Sequence, residues 1–190
     1  MRVVAGRLKG RSLVGPRSDD IRPTSDRLRE ALFNILAHGL LKFGIRDPVT
    51  DARVLDLFAG TGGLAFEAVS RGAVYAVMVD DSTEARGLQR ANVEALGLGG
   101  ITRILRRDAT KLGPVSAFEP FSLVFCDPPY GKGLCEKALQ SALLGGWLKP
   151  GAIVVLEERA GVEIALPPSL ELLDQRVVGE GQVLIARYNA

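Results

Sequence analysis

The sequence predicts an α/β protein. It has a seven-stranded, mostly parallel sheet with a C-terminal antiparallel hairpin, and a small N-terminal β-hairpin and helix stand before it. Three observations predict this. From Arg53 onward, short apolar runs alternate with helical patterns, the order that gives a parallel sheet covered on both faces. Near the end the alternation stops, and "LELLDQRVV-GEG-QVLIARY" reads as two strands about a glycine-rich turn. Residues 1–48 follow neither pattern and are expected to form a separate N-terminal unit, with a second domain over 49–190.

The elements follow in order. "RVVAGRLKGRSLVG" reads as two short strands about a glycine-containing turn. "RPTSDRLREALFNILAHG" has a helix start at Pro23, with Thr24 or Ser25 as cap. Leu28, Ala31, Leu32, Ile35 and Leu36 line one apolar face, and Gly39 or Gly44 ends the helix. "IRDPVTDA" is a linker. "RVLDLF", "VYAVMVD", "ITRILRRD", "FSLVFCD" and "LKPGAIVVLEE" are strands. "GGLAFEAVSRG", "STEARGLQRANVEALG" and "KGLCEKALQSALLGG" are the intervening helices.

Composition limits the function. An apolar content of 47% and a charged content of 24% in 190 residues are those of an ordinary globular protein. No apolar run approaches the roughly 18 residues of a membrane span. The opening "MRVVAGRLKGR" is too basic for a secretory signal, so a cytoplasmic protein is expected. One histidine, His38, and two cysteines without a CxxC pair offer no zinc set, so no metal is expected. Cys126 reads as a small core residue. Net charge is only +2 but uneven: Arg2, Arg7, Lys9, Arg11 and Arg17 precede any acid. Such an arm suits a phosphate backbone, or is a solvated hairpin with no partner.

The loop "LDLFAGTGGLAFEA" follows the first parallel strand. Gly60, Gly62 and Ala65 fit a loose G-x-G-x-x-A pattern, in which glycines let the backbone approach a ligand. Asp80 ends the second strand, where an acid can accept hydrogen bonds from ribose hydroxyls. This pattern points to a nucleoside and leaves a nicotinamide cofactor or S-adenosylmethionine. Asp56, inside the first strand, favours the second: it would neutralise a cationic ligand and sit awkwardly beside a pyrophosphate. Asp108 in "RRDAT" can accept an adenine amino group, or cap a short turn.

"FCDPPYGKG" follows the fourth strand. Prolines stop a strand and stiffen its exit. Asp127 and the Pro128 carbonyl can each accept one N–H of a planar amino group, and Pro128 brings no competing donor. Pro129 completes the stiff turn, and Tyr130 can stack on a base. The prolines of "LPPS", Leu166–Ser169, lack the acid and the aromatic and read as a plain loop.

Together, "DLFAGTGG", Asp80 and Asp108 resemble the cofactor site of class I methyltransferases, whose fold is Rossmann-like. "DPPY" resembles the [D/N]-P-P-[Y/F/W] motif of enzymes methylating amino groups of bases or amides. "MRVVAGRLKGRSL", "RPTSDRLREALFNIL", "LDLFAGTGGLAFEA" and "FCDPPY" together are similar, nearly end to end, to bacterial small-subunit (16S) rRNA guanine-N2 methyltransferases. The resemblance implies S-adenosylmethionine as cofactor, with Asp56, Phe58, Gly60, Gly62, Asp80, Asp81, Asp108 and Ala109 about it. It implies Asp127, Pro128, Pro129 and Tyr130 as the catalytic group. It implies 16S rRNA as partner, in a small-subunit assembly particle, with a monomeric enzyme. Arg7, Lys9 and Arg11 would follow phosphates, and Arg27, Glu30 and Asn34 would cover the substrate side of the cleft. "VDDS" departs from the family, which more often has Val-Glu, so Asp81 can share the ribose contact. An adenine-N6 methyltransferase would use the same chemistry. A protein-glutamine methyltransferase would more usually carry Asn at position 127, and an RNA-binding assembly factor would leave the cofactor fold unused.

Overall fold

The computed structural model describes residues 1–16 and 24–190; Arg17 of the basic arm and Pro23 of the helix start lie outside the described residues. Seven strands form one sheet: β1 (Arg53–Leu57), β2 (Tyr75–Val79), β3 (Thr102–Leu105), β4 (Phe121–Cys126), β5 (Leu148–Arg159), β6 (Leu170–Val178) and β7 (Gly181–Tyr188). Their order is β3-β2-β1-β4-β5-β7-β6. The first five are parallel, and β7 inserts antiparallel between β5 and β6. Chain order reverses between β1 and β4, so the crevice at their carboxyl ends is where an open sheet of this kind takes its ligand.

Alternation along the strands separates two cores. Val54, Leu123, Phe125, Ile153 and Val155 pack to one side. Leu55, Leu57, Val124, Cys126, Val154 and Leu156 pack to the other. Helix α2 (Gly63–Ser70) and α1 (Asp26–Asn34) cover the first face; α4 (Leu134–Leu144) covers the second. Helix α3 (Thr83–Leu96) starts at the Ser82 side-chain cap and stops at Gly97, which is left-handed with φ 70°.

Residues 1–48 differ in detail from the sequence expectation. The hairpin forms a single antiparallel bridge, Arg2 to Ser12, rather than a ladder. Across it the Val3 amide donates to the Arg11 carbonyl, the Gly10 amide to the Val3 carbonyl and the Leu13 amide to the Met1 carbonyl, while the amides of Val4, Ala5, Leu8 and Val14 turn outward to side chains of α2 and α3. Glu67, fully buried, accepts from the Val4 and Ala5 amides at 2.8 and 2.9 Å and pairs with Arg71 at 2.8 Å. Ser70 Oγ accepts from the Leu8 amide, and the Arg7 amide donates to the Ser70 carbonyl. At Gly6, φ is 78° and a Cβ would stand 2.0 Å from that carbonyl oxygen, so only glycine permits this approach. Ser25, not Thr24, caps α1 through the Leu28 amide. The helix then loosens into a π turn at Ile35–Gly39, and the left-handed Gly44 closes the segment. Val3, Leu13, Leu32, Phe33, Leu36 and Leu40 join the same core as the sheet. Among the described residues no helix is long and apolar enough to cross a membrane.

Candidate active site

Three carboxylates stand at the carboxyl ends of adjacent strands. Asp56 is in β1, Asp80 follows β2 and Asp127 follows β4. The register pairs Leu57 with Val79 and with Cys126, so the chain leaves all three strands at one level. The Asp127 amide reaches the Leu57 carbonyl at 3.5 Å, which ties the "DPPY" turn to β1.

Backbone conformation at the β1 exit is unusual. Phe58 has φ 59°, left-handed for a residue with a side chain, and Gly60 and Gly62 have φ 53° and 82°. Positive φ outside glycine costs free energy and concentrates at ligand sites. At Gly62 a Cβ would meet Phe66 at 2.6 Å and Met78 Sδ at 2.7 Å, so the loop is seated against the core without room for a side chain. Polar groups hold it from every side. The Gly60 amide donates to Asp80 Oδ2 at 2.8 Å, and Gln89 Nε2 donates to the Gly60 carbonyl at 2.9 Å. Asn92 Nδ2 donates to the Thr61 carbonyl, and the Ala65 amide donates to Asp56 Oδ2 at 3.1 Å.

The electrostatics follow from burial. Asp56 is 1% exposed, and burial lifts its carboxyl to about 8, helped by the charges of Asp127 and Asp80 and opposed by the Ala65 amide. Asp80 is also raised, chiefly by burial, against the amides of Gly60 and Ser82. Acids crowded in this way suit a cation.

The other expected site residues divide. Asp81 is exposed, and its carbonyl accepts from Arg86. Asp108 caps the turn Ala109–Lys111, its Oδ1 accepting from the Thr110 amide and hydroxyl, which lower its carboxyl. Ala109 is buried beside it. Asp127 is half-buried, Pro128 buried and Pro129 exposed. Arg7 and Lys9 are exposed on the arm; Arg11 is exposed too, but its guanidinium donates to the Ala95 carbonyl at 2.6 Å, at the end of α3. Arg27, Glu30 and Asn34 are exposed on α1. Cys126 is a buried core residue, and its thiol is pushed up by Cys135 and by burial.

Several residues outside those expectations build the site. Glu157 and Glu158 end β5 beside the "DPPY" turn; the Tyr130 hydroxyl donates to Glu157 and the Gly131 amide to Glu158 at 3.0 Å. A pair of acids closing the apolar run "AIVVL" was the available signal. Asn92 bridges the arm to the glycine loop, since it also pairs with both backbone groups of Val14. The Thr24 hydroxyl donates to Asp127 Oδ2 at 2.8 Å across 103 residues. Arg29, fully buried, donates to the carbonyls of Thr24 and Arg2 and pairs with Asp26 at 2.6 Å.

Residues 1–187 match the family described as "Conserved hypothetical protein 95". The chain is 34% identical over 167 residues to the Ribosomal RNA small subunit methyltransferase D of Escherichia coli K12, covering 88% of this chain and 78% of that one. It is 35% identical over 179 residues to a tRNA (guanine(6)-N2)-methyltransferase of Thermus thermophilus, covering 85% of this chain and 52% of that one. The solved structure of yhhF from Escherichia coli superposes with a TM-score of 0.81 at 30% identity, over 100% of this chain and 98% of the other.

Proposed function

For a chain that belongs to the family of the ribosomal RNA small subunit methyltransferase D proteins, a methyltransferase with the seven-stranded class I fold, we propose transfer of a methyl group from S-adenosylmethionine to the exocyclic N2 amine of one guanine in 16S rRNA. The observation that carries the reading is the meeting of Asp56, Asp80 and Asp127 with the glycine loop at the carboxyl ends of three adjacent strands. Guanine N2 is the reading that the resemblance favours, and the name of the Thermus relative has the same chemistry.

The residues present fit the cofactor. The loop turns through positive φ at Phe58, Gly60 and Gly62, and the buried Asp56, once it gives up its proton, would be a counter-charge for an ammonium. Asp80, with Asp81 beside it, would receive the ribose, Asp108 and Ala109 would flank the adenine, and Phe58 would line the same site. When bound, S-adenosylmethionine supplies a methyl group on a positively charged sulfur.

Asp127 and the Pro128 carbonyl accept the two N–H bonds of the target amine. A guanine amine is a poor nucleophile because its lone pair is drawn into the ring. Fixing the nitrogen turns that lone pair toward the methyl group, and orientation of this kind can supply a large part of a rate enhancement. A bound S-adenosylmethionine would supply the methyl group to that nitrogen, the N–C bond forming as the S–C bond broke with its electrons left on sulfur. Asp127 offsets the positive charge that develops on nitrogen, and the surplus proton passes to solvent. Pro129 stiffens the turn, and Tyr130 stacks on the base, which must leave its helix or loop to reach it.

Residues 1–48 serve the RNA. Arg7 and Lys9, with Arg11, follow phosphates and give affinity with little sequence information. Arg27, Glu30 and Asn34 present a polar face to the substrate. Residues 49–190 hold the cofactor. The protein works as a cytoplasmic monomer on 16S rRNA in an assembling small subunit. The test is mass analysis of rRNA nucleosides from cells lacking the protein. One N2-methylguanosine of 16S rRNA disappears, and Asp127→Ala on a plasmid does not restore it. An unchanged nucleoside profile, or loss of N6-methyladenosine instead, would refute the assignment.

A further inference from the structure

We propose that Thr24 is a positioning residue for the catalytic carboxylate, so that the N-terminal arm completes the active site as well as gripping RNA. The inference rests on the role given to Asp127 above. Its ground is a single chain of hydrogen bonds. Thr24 Oγ1 donates to Asp127 Oδ2 at 2.8 Å. The Thr24 carbonyl accepts from Arg29 Nη1 at 2.6 Å, and Arg29 Nη2 donates to the Arg2 carbonyl at 2.7 Å and to Asp26 Oδ1 at 2.6 Å. The Arg29 guanidinium has no exposed surface, and a Cβ on Gly63 would stand 3.4 Å from it. One buried cation therefore clamps the hairpin to the start of α1 and lies close to Gly63, the first residue of α2.

The clamp explains why Thr24 does not cap α1. Ser25 performs that task, and its extended backbone, φ −61° and ψ 152°, turns the preceding residue away from the helix toward the β4 exit. There the hydroxyl serves a carboxylate crowded by Asp56. A hydroxyl donor on one oxygen fixes the rotation and favours the anion. Both effects bear on how the amine is held during transfer, not on how tightly the cofactor or the RNA binds. Thr24 thus belongs with kcat rather than with KM.

The test compares Thr24→Val, which keeps the shape and removes the donor, with Thr24→Ser, which keeps the donor. Steady-state methylation of 16S RNA by Thr24→Val shows kcat lowered by roughly 10- to 100-fold, the loss expected for one hydrogen bond to a charged group. KM for RNA and calorimetric affinity for S-adenosylhomocysteine stay within threefold. Thr24→Ser restores kcat to within threefold of the wild type. Wild-type kcat in Thr24→Val, or a loss confined to KM, overturns the inference. A second readout needs no turnover. The side-chain carboxyl carbon resonance of Asp127, assigned with Asp127→Asn, shifts in Thr24→Val and not in Thr24→Ser; an unmoved resonance in Thr24→Val also overturns it. If the wild type transfers no methyl group to RNA, the proposed function falls, and the carboxyl resonance still decides the link between Thr24 and Asp127. Should Thr24→Val fold poorly, Thr24→Ala carries the same comparison.

Discussion

The Tyr130 hydroxyl donates a 2.5 Å hydrogen bond to Glu157 Oε1, joining the exit of β4 to the end of β5. Glu158 takes the next amide, that of Gly131. The ring proposed to stack on the base is thus held at its far end by the neighbouring strand. Gly181 leaves room for this: a Cβ there would stand 3.0 Å from the Tyr130 oxygen. Tyr130→Ala should raise KM for RNA by roughly 10- to 100-fold, from the loss of about 1–3 kcal/mol of stacking. Tyr130→Phe keeps the ring and loses its anchor, so a few-fold fall in kcat/KM is expected. Gly181→Ala should resemble Tyr130→Phe in the same steady-state assay.

Asp56 predicts a pH dependence of two kinds. Its carboxyl, lifted by burial to about 8 in the fold, sits near its ordinary value of 3.8 in the unfolded chain. Between those values the folded protein holds the extra proton. Its contribution to stability is therefore complete below about 3.8 and declines as pH rises through about 8. Chemical denaturation across this range should show that decline, and Asp56→Asn should flatten it. A cofactor ammonium needs the carboxylate, so affinity for S-adenosylmethionine should rise with pH, by up to about tenfold per unit, and level off above pH 8. Calorimetry at pH 7 in two buffers of different ionisation enthalpy should register the released proton.

The arm should read out as charge. Arg7→Ala and Lys9→Ala should each reduce the salt slope of RNA binding by roughly 0.7 to 0.9, the value for one phosphate contact. Arg11 also bonds the end of α3, so Arg11→Ala should lower the midpoint of thermal unfolding as well. Binding isotherms at four or five salt concentrations check the slopes.

Glu67 should be the residue that keeps the arm down. It is fully buried, and its oxygens take two arm amides and the Arg71 guanidinium, which lies over the Phe33 ring. Glu67→Ala leaves these donors without their acceptor and should cost roughly 3 kcal/mol. Hydrogen exchange at the Val4 and Ala5 amides should quicken more than exchange in β1 or β4.

The sheet was legible because its residues obey local rules. Strand alternation and the glycines closing each helix placed all seven strands, and the acids at 56, 80 and 127 follow from where those strands end. What escaped was long-range. Nothing near Thr24 marks a partner at Asp127, and its place before a helix suggested a cap, a task that Ser25 performs. Arg29 reads as one more basic residue on a charged helix, yet it is buried, because carbonyls from distant segments surround it. Glu67 and Asn92 likewise look like helix-surface residues until the arm is laid against them. The hairpin is seated the same way: its two arms keep a few backbone hydrogen bonds to each other, and side chains of α2 and α3 take the outward amides of Val4, Ala5, Leu8 and Val14.

The central claim is that the sulfur of the cofactor sits beside the turn at Asp127. A crystal structure with S-adenosylhomocysteine measures this directly. The account predicts the adenosine between Asp80 and Asp108, the ammonium toward Asp56, and the sulfur facing Asp127 and Pro128. A ligand bound elsewhere, or a sulfur turned away from Asp127, would contradict it.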